Sequence, residues 1–223
     1  MPQKTPAEIA YSSLEYTCEF KRPILEATVA PAKLIAAVLD VLQPFGYKLD
    51  GVELNTAVRN LGEYAIIFRR STPLVPPRSL TLGLGKVSVT ADNLDWTEAE
   101  QFILEQSAAL NVIRQMGGAQ VHSHQLVVGL HIQVKEKPRK QVTAPLLSPL
   151  ASELLDGKAD FPGIILSREE ASVIIDASLA YANALFVRIA RKHPPEVPFE
   201  ELAQTLQNDE RRIFDVLGLE GDL

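Results

Sequence analysis

Cysteine is almost missing from the chain. Cys18 stands alone among 223 residues, so no disulfide can form within it. A reducing, cytoplasmic setting is the expectation for such a composition. The first ten residues, MPQKTPAEIA, contain no apolar stretch of signal-peptide type, and no run of about 18 uncharged apolar residues follows. The expectation is therefore a chain with no export signal and no membrane-spanning helix. Basic charge is not in excess either. From residue 195 to 223 there are eight acidic and two basic residues, which accounts for the whole net charge of −6. An acidic tail on a neutral body argues against phosphate-backbone binding, so nucleic acid is not an expected partner.

Catalytic motifs are lacking as well. Gly83-Leu84-Gly85-Lys86 has Leu80 and Val87 where a phosphate loop needs glycine and a hydroxyl residue. No G-x-S-x-G elbow occurs. Neither an internal repeat nor a low-complexity run is present. What remains is a globular composition, 46% apolar and 22% charged, long enough for one domain with an appendage.

The longest pattern is Gln120 to Val134. His122, His124, Leu126, Val128, Leu130, Ile132 and Val134 alternate with Ser123, Gln125, Val127, Gly129, His131 and Gln133. A period of two makes this a long core-facing strand with two histidines at one end. Further strands are expected over Leu14–Phe20, over Tyr47–Leu61, and from Tyr64, Ile66 and Phe68. Leu80, Leu82, Leu84 and then Val87, Val89, Ala91 extend the series. The apolar phase switches at Pro23, Gly51 and Gly85, which reads as bends or bulges, with a tight turn as the alternative at Gly51. Residues 71–79 hold Pro73, Pro76 and Pro77 and are expected to be a loop.

Helices are expected after Thr5-Pro6-Ala7-Glu8, from Pro31 to about Gln43, and from Thr97-Glu98-Ala99-Glu100 to Gly117. Two more are expected, from Ser167-Arg168-Glu169-Glu170 to about Lys192 and from Phe199 to Leu217. In the first of these Glu169, Ser172, Asp176 and Asn183 form a narrow polar stripe. The resulting expectation is an α+β fold: a coiled, mostly antiparallel sheet of five to six strands packed with helices, plus a C-terminal helical section. Residues 1–136 form the sheet domain, 137–166 a strap or linker, and 167–223 C-terminal helices packed on the sheet domain. A ferredoxin-like βαββαβ unit with an added strand fits that order, as do other α+β sandwiches.

Candidate sites are few. His122-Ser123-His124 resembles the His-x-His of cupins, but the glutamate that should follow is missing between Gln125 and Gly129. Two histidines without a third ligand do not make a metal site, so no metal and no cofactor is expected. Cys18, in the apolar phase of its strand, reads as a buried structural thiol. Lys135, Lys137, Arg139 and Lys140 read as a solvated strand end, or a patch for an acidic partner together with Arg69 and Arg70. Leu202, Leu206, Ile213 and Leu217 form a helix seam spaced 4, 7 and 4, interrupted by Asp209. That seam points to a homodimer or a protein partner. No catalytic constellation emerges, so whether the chain is an enzyme stays open. The leading expectation is a non-catalytic protein-binding or assembly module acting through a sheet edge and the C-terminal helices. The alternative is a small-molecule binder or enzyme with a pocket between sheet and helix, His122 and His124 at its mouth, taking a small apolar ligand.

Overall fold

Two strands exceed all others in length, β1 (Thr5–Phe20) and β6 (Val121–Val134), and the sheet is assembled outward from them. The computed structural model describes residues 4–55, 60–72, 75–93, 99–146 and 163–221. The other strands are β2 (Val52–Asn55), β3 (Ala65–Thr72), β4 (Val75–Gly83), β5 (Lys86–Asp92), β7 (Ile164–Arg168), β8 (Ala171–Ala177), β9 (Ala184–His193) and β10 (Leu219–Glu220). Their order in the sheet is β2-β3-β4-β5-β1-β6-β9-β8-β7, with β10 parallel to the start of β1. The sheet is large, mostly antiparallel and open, and the α+β class holds. Its ten strands correct the expected five to six. Helices are α1 (Glu26–Val29), α2 (Pro31–Leu42), α3 (Ala99–Gly117), α4 (Arg139–Thr143) and α5 (Phe199–Leu217). The chain divides into two compact units. One is Met1–Ser12, Val127–Arg191 and Gln204–Leu223; the other is Ser13–Leu126 and Lys192–Ala203.

In the second unit the alternation reads as expected. Tyr16, Cys18, Ile66, Phe68, Leu80, Leu82, Val87 and Val89 are all buried, as are Leu34, Val38 and Leu42 of α2 and Ala109 and Ile113 of α3. Each phase switch is a chain reversal or a strand end instead of a bulge. Leu84-Gly85 joins β4 to β5, with Leu82 opposite Val87. Gly51 sits in a 3-10 turn where a Cβ would come within 2.4 Å of the Arg69 carbonyl oxygen, so only glycine fits there. After Pro23 the chain enters α1, not a strand, and β2 keeps only four of the residues expected from Tyr47 to Leu61. The proline-rich segment expected to be a loop already contributes to β4 from Val75, paired with Thr72. The box expected to start α3 falls at 97–98, outside the described residues.

This unit also buries charge. Glu105 of α3 accepts from Tyr47 Oη at 2.5 Å and from Arg78 Nη1 at 3.0 Å, and Arg70 Nη1 lies 3.9 Å away. Arg78 is also stacked over the Phe102 ring, 5.5 Å from its centroid. Two cations, a phenol and the Gln106 amide thus share one buried carboxylate, so its removal leaves buried polar groups without it.

The first unit departs most from expectation. No helix begins at Pro6. Thr5 and Pro6 open β1, where proline's missing N–H costs nothing, and the Pro6 carbonyl accepts from Lys135 N. The expected helix over 167–192 is a set of three antiparallel strands. Arg168 pairs with Ala171 across the two-residue turn Glu169-Glu170, and Ile175 pairs with Val187 across the β8–β9 loop. The β-branched runs Val173-Ile174-Ile175 and Val187/Ile189 prefer a pleated surface. The alanines around them, good helix formers, carried the opposite signal. Asn183 closes the loop at φ 50°, its amide donating to the Val134 and Lys137 carbonyls while its Oδ1 accepts from Arg139 N. Of the expected strap, the described part is anchored by that bond and by buried Val142 and Thr143. Residues 147–162 of it lie outside the described residues. α5 spans the residues expected of it.

Glu105→Ala should lower stability by about 3–5 kcal/mol, because Arg78 is left buried without its carboxylate. Urea unfolding followed by circular dichroism measures this, and a loss under about 1 kcal/mol would show the cluster to be dispensable.

Candidate functional site

The two expected ligand histidines do not act together. His122 is exposed at the start of β6, whereas His124 is only 7% exposed. The His124 ring stacks on Tyr16, and its Nδ1 lies 2.6 Å from the Tyr16 hydroxyl. Nδ1 of this buried ring is thus committed to the Tyr16 hydroxyl. Burial is the main cause holding the His124 pKa below the ordinary histidine value. Ser123 donates to Glu19. Burial likewise pushes the neighbouring Cys18 thiol up to about 11, so at neutral pH it is an inert, protonated core group. Among the described residues no group of three or more His, Cys, Asp or Glu is placed to hold a metal ion.

His131, on the opposite phase of β6, is more heavily surrounded. Its ring lies 5.8 Å from Tyr11 and 5.2 Å from both Tyr181 and Phe186, and its Nδ1 is 2.8 Å from Ser178 Oγ. A serine hydroxyl facing a histidine nitrogen is the first half of a nucleophilic dyad. Here Ser178 Oγ already accepts from the backbone N–H groups of Ala180 and Tyr181, and Ser178 is 6% exposed. The hydroxyl is saturated by its own turn, and the pair fixes the β8–β9 loop.

The C-terminal seam is placed as follows. Leu202, Leu206 and Leu217 are buried within the chain, and Ile213 is half-buried. Asp209, which breaks the seam, meets Arg191 of β9 through both carboxylate oxygens, Oδ2 with Nε and Oδ1 with Nη2 at 2.6 Å. Around this ion pair a cleft of about 300 Å³ opens between sheet and helix. Leu166, Val173, Ile175 and Ile189 line it from the sheet, Ile213 and Val216 from α5, and Arg212 stands at the helix side. A pocket between sheet and helix was the expectation; neither His122 nor His124 lines this one. The apolar surface continues outward, with Leu166 60%, Ile165 70% and Val216 56% exposed. β7, which carries Ile165 and Leu166, is the last strand of the sheet order.

Arg191 was missed in the sequence because the helical reading of 167–192 hid its strand face, and β7 because 137–166 reads as a strap or linker; Arg212 sits on the expected helix but belongs to no motif.

No family model and no curated protein matches the chain. Among solved structures it is similar to a di-domain ARO/CYC, BexL, from the BE-7585A biosynthetic pathway, at 12% identity and a TM-score of 0.25, covering 95% of this chain and 99% of that one. It is also similar to the PH1819 protein from Pyrococcus horikoshii OT3, at 7% identity and a TM-score of 0.19, covering 96% and 80%.

Stability should fall with pH below about 6.5, the histidine value of an unfolded chain. There the unfolded state takes up a proton that buried His124 resists, so the loss grows until pH passes its lowered folded value. Urea unfolding at pH 7.5 and 5.5 should show a smaller loss for His124→Asn than for the wild type. A gap between the two proteins that stays constant with pH would contradict this account of His124.

Proposed function

We propose that the protein is a non-catalytic assembly module whose partner is a second copy of itself, joined through the edge strand β7. The observation that carries this reading is the exposure of Ile165 and Leu166, which point to opposite faces of one terminal strand. Natural sheet edges are blunted by shortness, charge or proline, because an open row of N–H and C=O groups templates further pairing. The edge at β2 is blunted in this way: four residues, with Glu53 held by the Arg69 guanidinium at 2.9 and 3.2 Å. Among the described residues, β7 has no such device over Ile164-Ile165-Leu166. Antiparallel pairing of two β7 strands about a two-fold axis is self-complementary and buries both side chains. The helix seam expected to join two copies is a weaker support, since three of its four leucine and isoleucine residues are spent inside the chain. The cytoplasm remains the expected setting, and among the described residues no helix is long and apolar enough to cross a membrane.

Sedimentation of the full chain should give a dimer. Ile165→Lys, which places a charge on the strand without touching the core, should weaken it at least tenfold. A monomer at all concentrations, or a dimer indifferent to Ile165→Lys, would refute the reading.

A further inference from the structure

The cleft beside β7 has a composition of its own. Its wall is aliphatic, six residues of Leu, Val and Ile, and the remaining lining is Arg191, Asp209 and Arg212. Asp209 is matched by Arg191, which spends Nε and Nη2 on it. Counting charges, two arginines and one aspartate leave the cleft with one positive charge, on a chain whose net charge is −6. Arg212 is exposed, on the same helical face as Asp209 three residues earlier and Val216 four later. An apolar slot with one surplus guanidinium at its rim is complementary to a molecule with an aliphatic body and a single anionic end. At 300 Å³ the slot is about twice the size of a cavity that holds one benzene ring, which limits the body to roughly a dozen heavy atoms.

We infer that the cleft formed by β7, β8, β9 and α5 binds a medium-chain amphipathic anion, an alkyl carboxylate or its equivalent. The alkyl chain lies against Val173, Ile175, Ile189 and Ile213, and the carboxylate meets Arg212. Arg191 is a positioning residue, held by Asp209 and tying α5 to the strand face. This goes beyond the assembly reading and does not depend on it, although Leu166 borders both surfaces.

The test uses the full chain and sodium decanoate, titrated calorimetrically below its micelle concentration. Protein is kept at a concentration where sedimentation shows one species, so that a failure of self-association is not mistaken for a failure of binding. One decanoate per chain is expected, with at least tenfold preference over decyltrimethylammonium. In Arg212→Gln the ratio of decanoate to 1-decanol affinity should fall at least tenfold. In Val216→Trp, a change at an exposed position of the cleft wall, decanoate should be lost while the urea midpoint is kept. Absence of saturable decanoate binding overturns the inference. So does equal affinity for the cationic probe, an unchanged ratio in Arg212→Gln, or undiminished binding in Val216→Trp.

Discussion

The ion pair between Arg191 and Asp209 is the contact on which the cleft between β7, β8, β9 and α5 depends. It joins the middle of α5 to the C-terminal part of β9, and both of its members are largely shielded, at 26% and 12% side-chain exposure. A guanidinium doubly bonded to a carboxylate is geometrically demanding. The space left around it is lined by aliphatic side chains that do not reach across. Cleft and anchor thus have one origin: an acid placed in an otherwise apolar seam, with an arginine brought beneath it by the β8–β9 hairpin.

That hairpin is in turn held by polar contacts. Asn183 bonds to the end of β6 and to the start of α4, and Ser178 caps the loop while fixing His131. These bonds place β9 so that Val187 and Ile189 enter the core, and with them Arg191 comes to the cleft. β8 and β7 follow by pairing alone. Among the described residues, the sheet therefore ends on a strand with much exposed aliphatic surface. Such a strand is costly to leave uncovered, and the proposed self-pairing would cover it with residues the chain already supplies.

Much of this was readable from residue order, and the failures have a physical pattern. The β6 alternation, the α2 and α5 boundaries and the Tyr16, Cys18, Phe68 and Leu82 core positions emerge because burial enforces a strict period on one face. Residues 167–192 misled because alanines at 171, 177, 180, 182 and 184 favour helix locally, while the β-branched residues between them are decided by pairing partners distant in sequence. Thr5-Pro6-Ala7-Glu8 misled in the same way: a capping pattern is only local, and β10 claims that backbone. His122 and His124 share a phase, yet only His124 lies deep enough to be buried. Spacing fixes the direction of a side chain and not its depth. The Glu105 cluster, assembled from α3, β3, β4 and Tyr47, has no sequence signature at all.

Amide hydrogen exchange across Ile164–Arg168, followed as protein concentration is raised, tests the central claim most directly. The account predicts that protection of these amides grows with concentration while that of Val52–Asn55 in β2 stays constant. Exchange at Ile164–Arg168 that is independent of concentration, while the mass in solution rises, would contradict it.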